Sequence, residues 1–235
     1  MDQQKSSAAR QMRALVMKDY ENDYKRDPAD SPRETRTAVN RAIMDIVRQQ
    51  KIMPPRILNI GSGPQLLERV LQQSYRTAHD VKLLKSLFFA AIDIAKIRAD
   101  KLKARKHANV AHVQADAEAL PFAPESFGMV VSNMAIDMMP RTAFSEASQA
   151  LAKGGAFIFT FHHPDMMRDI AATAPRLSDR AFALHLLQNN LYFATEEEIR
   201  STLAAYSLEA QEIRRDSNAP DNKGSTWWFV RGIKK

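Results

Sequence analysis

The chain has 235 residues, 45% hydrophobic and 26% charged, the balance of one soluble globular domain with room for at most a small cap. It has no cysteine, which excludes disulfides, thiol nucleophiles, thiolate zinc sites and iron–sulfur clusters. The net charge of +7 favours anionic partners at long range. No apolar run is long enough for a bilayer span, and the polar start Met1-Asp2-Gln3-Gln4-Lys5 lacks a secretory signal, so the expected address is cytoplasmic.

In chain order, Ala8, Met12, Leu15, Val16 and Tyr20 recur at helical spacing, until Asp27-Pro28 and Ser31-Pro32 break the pattern. A second helix is predicted from about Arg33 to Gln50, with Val39, Ala42, Ile43, Ile46 and Val47 on one face, and Pro54-Pro55 stops it. The apolar strand Arg56-Ile57-Leu58-Asn59-Ile60 runs into the turn Gly61-Ser62-Gly63-Pro64 and a helical stretch from Leu66 to Gln73. Strands then alternate with helices: strand Phe88 to Asp93, a basic helix Lys96 to His107, strand Val110 to Gln114, strand Met129 to Ser132. A helix from Thr142 to Ala152, closed by Gly154, precedes strand Ala156 to Phe161. Asp165 to Leu191 reads as one or two helices, Thr195 to Glu198 as a capping box opening a helix through Tyr206. Leu208 to Arg214 and Thr226 to Ile233 read as two strands joined by a polar loop, Ser217 to Ser225. The alternation predicts an α/β fold with a doubly wound, mostly parallel sheet and an antiparallel hairpin at its edge.

In such a sheet ligands bind beyond the carboxyl ends of the strands, so strand-end residues are the candidates. Gly61-Ser62-Gly63 lets a ligand approach the backbone ahead of a helix N-terminus. Asp93 ends an apolar strand and suits two ribose hydroxyls. Asp116-Ala117 and Ser132-Asn133-Met134 follow the next two. A nicotinamide-dinucleotide fingerprint wants a third glycine where Leu66 stands, and no GxxxxGK[ST] loop is present. The pattern therefore fits a nucleoside without a pyrophosphate.

Arg56 to Gly63 resembles the first motif of the class I S-adenosylmethionine-dependent methyltransferases. Gln114-Ala115-Asp116-Ala117-Glu118-Ala119-Leu120-Pro121-Phe122, with Glu125-Ser126-Phe127, is similar to a segment of their small-molecule branch, which includes the ubiquinone/menaquinone and biotin-pathway enzymes. Leu151 to Gly155 resembles the turn before the fifth strand, and the Trp227-Trp228 strand fits the reversed hairpin. The resemblance implies a seven-stranded Rossmann-like sheet and S-adenosyl-L-methionine as methyl donor. It places Gly61, Ser62 and Gly63 at the donor's amino-acid end and Asp93 on the ribose. It sets Ile94 against the adenine, Asp116 on the adenine amino group with the Ala117 amide beside it, and Asn133 and Met134 near the sulfonium. The chain departs from the family pattern at Asn59, where an acid is usual, at Gln65, where a small residue is usual, and at Gly128, which replaces an aspartate.

Residues 1–53 are expected to form N-terminal flap or cap helices and 54–235 the methyltransferase domain, with 165–193 as a lid on the acceptor side. Tyr20 and Tyr24 are candidate flap residues. His162 and His163 are candidate general bases, as is Asp137; no metal site is expected, since no clear third ligand accompanies the histidines. The Phe182, Leu186, Leu187, Leu191 stripe reads as core or lid packing, and the basic run Lys96 to Lys106 as a solvated helix face. The expected partner is a small or medium-sized organic acceptor methylated by in-line displacement. Two other readings stand beside it: a degenerate binding or regulatory protein, motivated by Asn59 and Gln65, and methylation of RNA or protein, motivated by the positive charge. Against the latter, the Asn/Asp-Pro-Pro-aromatic motif of many amino-group methyltransferases of nucleic acids is absent after the fourth strand.

Overall fold

The four strands that read as uninterrupted apolar runs take the centre of the sheet, as burial on both faces requires. In a computed structural model of the chain, which describes Ser7 and residues 33–49, 56–63, 66–75, 77–95, 109–175, 177–217 and 226–235, seven strands pair in the order β3-β2-β1-β4-β5-β7-β6. They are β1 (Arg56–Ile60), β2 (Phe88–Asp93), β3 (Val110–Gln114), β4 (Phe127–Asn133), β5 (Leu151–His162), β6 (Leu208–Ser217) and β7 (Thr226–Lys234). The pairings from β3 through β5 are parallel, while β7 runs antiparallel to both β5 and β6. The predicted doubly wound sheet with a reversed hairpin is thus the observed one.

Helices cover both faces. On one lie α1 (Arg33–Gln49), α2 (Leu66–Ser74), α5 (Pro164–Thr173) and α6 (Leu177–Gln188), with Ile43, Leu71, Met166 and Leu186 packed against Ile57, Met129, Ile158 and Trp227. On the other lie α4 (Thr142–Ala150) and α7 (Glu196–Ala204), with Phe144, Ile199 and Leu203 against Leu58, Phe157, Phe159 and Phe161. α1 thus shares the core of the sheet. The alternation along β5 sends Ile158 to one face and Phe157, Phe159 and Phe161 to the other, as the two-residue period of a strand demands.

Some elements differ from expectation. The helix after β4 ends at Ala150, not Ala152, because Leu151 turns extended and pairs with Phe127 to begin β5. Gly154 is therefore no helix cap; it sits in the irregular start of β5 with φ +73°. α3 (Ala78–Ser86) was not read in the sequence: its cap is Thr77, whose side chain accepts from Asp80 N–H. The Thr195 box forms as predicted on one side, Oγ1 accepting from Glu198 N–H at 3.2 Å, while Glu198 reaches back one residue further, to Ala194 N–H. Asp165 to Leu191 resolves into two helices, tied at the end by Phe193 N–H to His162 O and by Trp228 Nε1–H to Phe193 O at 2.8 Å. The helix predicted over 8–20, the Pro64 and Gln65 positions, the basic run 96–107, Tyr20, Tyr24 and the loop 218–225 lie outside the described residues.

Candidate active site

The strand order reverses between β1 and β4, and the carboxyl ends of β1, β2 and β4 converge on that switch point. β1 delivers Gly61, Ser62 and Gly63. Both glycines are left-handed, at φ +69° and +50°, a conformation that glycine adopts without steric cost. Gly61 is also fixed by packing, because a Cβ there would lie 2.5 Å from Ala135 Cβ. Ser62 N–H donates to Ile92 O at 2.8 Å, which carries the β1–β2 pairing into the turn.

Asp93 closes β2. Its Oδ2 accepts from Gly63 N–H at 2.8 Å and its Oδ1 from Ala95 N–H at 2.9 Å. The first bond crosses the cleft mouth and holds turn and acid together. Burial pushes the Asp93 carboxyl above its ordinary range, opposed by those two amides. Each carboxylate oxygen keeps a second lone pair, so the group fits the two donors of a vicinal diol. Ile94, half-buried, accepts through its carbonyl from Gln114 Nε2. After β3, Asp116 Oδ1 accepts from Glu118 N–H at 3.0 Å and its carbonyl from Ala119 N–H, a double-locked turn that buries Ala117.

The end of β4 is equally constrained. Asn133 Oδ1 accepts from Thr160 Oγ1 at 3.1 Å, and Met134 N–H donates to both the hydroxyl and the carbonyl of Thr160. Met134 takes φ +56°, a left-handed position uncommon for a side-chain-bearing residue. Ser132, wholly buried, donates to Ile60 O at 3.0 Å and accepts from Ile136 N–H at 3.1 Å, joining the tips of β1 and β4. Ser132 is a strand-end candidate in the sequence, whereas Thr160 is a supporting residue that the strand pattern hides, since it sits within the apolar run of β5. The nine residues assigned to the donor thus come together on four adjacent strand ends, and their chemistry fits a nucleoside with a cationic tail: paired acceptors for a sugar diol, an acid for an amine, and an open turn.

A second group lies at the end of β5. Asp137, in the short 3-10 turn Ile136–Met138, accepts at Oδ2 from His162 N–H at 2.7 Å and from the ring Nδ1 at 2.9 Å. Both side chains are almost fully buried, and Asp137 Oδ1 has no partner among the described residues. A carboxylate oxygen only accepts, so Nδ1 is the donor in this pair, and Nε2 has no hydrogen bond from the described residues. Phe182 of α6 stands edge-on to the ring. His163 is placed differently: its Nδ1 caps α5 by accepting from Asp165 N–H at 3.1 Å, beside Thr226 Oγ1, and its ring tilts against Trp228. Burial, and then Arg215, hold the His163 pKa below its ordinary value. The two adjacent histidines therefore divide, His162 hydrogen-bonded to the buried Asp137 and His163 capping the start of α5.

Trp227 pairs with His162 across β5 and β7, so the two side chains stand on the same face. Trp227 also walls a cavity of about 720 Å³ bounded by Thr37, Ala38 and Arg41 of α1 and by Arg214 and Asp216 of β6. Among the described residues no three His, Cys, Asp or Glu side chains gather as a metal site, and no helix is long and apolar enough to cross a membrane.

Comparison with known proteins agrees with this geometry. Residues 58–159 match the family described as a methyltransferase domain. The chain is 26% identical over 144 residues to a malonyl-acyl-carrier-protein O-methyltransferase of Halorhodospira halophila, covering 59% of this chain and 45% of that protein. It is 30% identical over 129 residues to the ubiquinone/menaquinone biosynthesis C-methyltransferase UbiE of Rhizobium leguminosarum, covering 53% and 48%. The chain thus spans about half the length of these two relatives. The fold is also that of the Burkholderia thailandensis 1,6-didemethyltoxoflavin-N1-methyltransferase, solved with its acceptor and S-adenosylhomocysteine, at TM-score 0.62 and 16% identity over 96% of this chain and 90% of that one. The matched methyltransferase-domain segment, the glycine turn, the acids that close β2 and follow β3 and the 3-2-1-4-5-7-6 sheet together give the chain the Rossmann-like fold of S-adenosylmethionine-dependent methyltransferases.

Proposed function

We propose that the protein transfers the methyl group of S-adenosylmethionine to a small or medium-sized organic acceptor. The observation that carries this reading is the bond from Gly63 N–H to Asp93 Oδ2 at the switch point, which sets a left-handed turn and an acid to face one ligand. Gly61, Ser62 and Gly63 hold the donor's amino-acid end, Asp93 and Ile94 its ribose and adenine, Asp116 and Ala117 the purine edge, and Asn133 and Met134 the sulfonium side. The donor, when bound, supplies an electrophilic methyl group; the chain's part is alignment and exclusion of water.

The acceptor enters on the β5–β7 side. The cavity walled by Trp227, one strand from His162, supports an acceptor of modest size, and the names of the relatives, a malonyl-acyl-carrier-protein O-methyltransferase and a ubiquinone/menaquinone biosynthesis C-methyltransferase, support methylation of an organic group. Where the acceptor bears a hydroxyl or an enol, His162 Nε2 takes its proton and Asp137 stabilises the resulting imidazolium. His163 and Asp165 shape the start of the lid. The test is titration of the protein with S-adenosylhomocysteine, followed by transfer of labelled methyl to a panel of small acids, phenols and enols. Micromolar binding and label in a small product support the reading; no heat on titration removes it. His162→Asn and Asp137→Asn should each lower kcat about 100-fold or more for a protic acceptor while donor affinity stays within twofold; unchanged turnover in both would remove the base.

A further inference from the structure

Glu68 has no role in the scheme above, yet it is the most unusual charged residue of the described fold. It stands in the first turn of α2, directly after the glycine turn, and is 0% exposed. Its Oε1 accepts from Asn59 Nδ2 at 2.7 Å, while its Oε2 is sealed and has no partner among the described residues. Asn59 is the penultimate residue of β1, 2% exposed and two residues ahead of Gly61. Its Oδ1 accepts from no described residue and, unlike the Oδ1 of Asn40, is not sealed from solvent.

This pair has two states. An ionised carboxylate only accepts hydrogen bonds, so it holds the Asn59 amide with Nδ2 toward Glu68 and the carbonyl oxygen facing away from it. A protonated carboxyl offers an O–H, and the Asn59 side chain then gains by turning Oδ1 inward and its NH₂ outward. For a cationic ammonium, an outward oxygen attracts and an outward NH₂ repels.

We propose that Glu68 is a positioning residue which, through Asn59, determines whether the glycine turn offers a hydrogen-bond acceptor to the ammonium group of the methyl donor. The inference rests on the placement of the donor's amino-acid end at that turn. Burial pushes the Glu68 carboxyl up to about 7, with the Asn59 bond opposing it, so both states are populated near neutrality. The charged groups on the surrounding elements are few. α1 carries buried Arg36, on the helix that bonds Leu67 O through Asn40, with Glu34, Arg41, Asp45 and Arg48 on its more exposed sides. Asp93 lies across the turn on β2, and α2 itself adds exposed Arg69.

The test is calorimetric titration of the full chain with S-adenosylhomocysteine from pH 5.5 to 8.5, beside 5′-methylthioadenosine, which lacks the ammonium. S-adenosylhomocysteine affinity is expected to rise roughly tenfold across a midpoint near 7, with a proton released below it, while methylthioadenosine affinity stays level. Glu68→Gln, whose amide pairs with Asn59 in either orientation, is expected to flatten the profile. If that variant fails to fold, Asn59→Ser, which leaves Glu68 in place but removes the turning amide, must flatten it instead. A level wild-type profile, an equal slope with methylthioadenosine, or a slope kept in the folded variants overturns the inference and leaves the donor site standing. Failure of the wild type to bind S-adenosylhomocysteine at any pH overturns the donor placement itself and this inference with it.

Discussion

A single carboxyl decides how strongly this turn and its acid are coupled, and single substitutions separate the roles. Asp93→Ala removes both acceptors that Gly63 and Ala95 use, and is expected to weaken S-adenosylhomocysteine binding by at least 10-fold, the loss of charge-assisted hydrogen bonds, while the circular dichroism spectrum stays unchanged. Glu68 has a separate signature in stability. Its folded-state pKa lies at about 7 against 4.5 for the free side chain. The stability this confers is therefore complete below 4.5 and lost as pH rises through about 7. The difference is worth about 3 kcal/mol. Glu68→Gln escapes that loss, so its unfolding free energy relative to wild type should climb by up to that amount between pH 5 and pH 8 in denaturant titrations. Comparing the two proteins cancels His112 and His163, whose burial-lowered pKa values act in the opposite direction. Glu68 was invisible in the sequence because it looks like any surface charge of an amphipathic helix. The available hint was Asn59, an uncharged residue where the resembled family pattern has an acid. Asp93, by contrast, was legible because an acid terminating an apolar run has few structural reasons to be there, and Asp116 because it follows a strand within a segment that resembles a family motif.

At the scale of elements, the turns matter more than the helices. Gly61 and Gly154 have almost the same backbone angle, +69° and +73°, but a Cβ at Gly61 meets Ala135 at 2.5 Å while one at Gly154 meets nothing within 4 Å. Gly154→Ala should then cost only the left-handed penalty, about 1–2 kcal/mol. Gly61→Ala adds a clash against the loop after β4 and should cost several kcal/mol, with donor binding lost, as thermal melts with and without S-adenosylhomocysteine will show. The central strands were readable because their apolar runs are continuous, and strand limits moved where pairing overrode local preference, as at Leu151. α3 escaped notice because its apolar face is weak, Val81, Leu83 and Leu84 among His79, Asp80, Lys82 and Lys85; its Thr77 cap was the only local mark.

For the molecule as a whole, what the sequence leaves open is which histidine meets which acid. That depends on contacts between residues 25 positions apart, Asp137 and His162, and on the reversed strand that pairs Trp227 with His162. No local pattern encodes such distances. The same long range governs the folding order. β7, the last of the described strands in the chain, lies between β5 and β6, and its seven pairings with β5 run from Ala156–Ile233 to His162–Trp227. Until it docks, the backbone of β5 remains an open template flanked by Phe157, Phe159 and Phe161, the kind of bare border that recruits other chains. A nascent or truncated protein ending at Ser217 should therefore precipitate rather than populate a soluble intermediate, as fractionation at graded concentrations would reveal. Supplying residues 226–235 as a separate peptide should rescue it in proportion to peptide added, making the reversed strand a clasp whose late closure sets the window for misassembly.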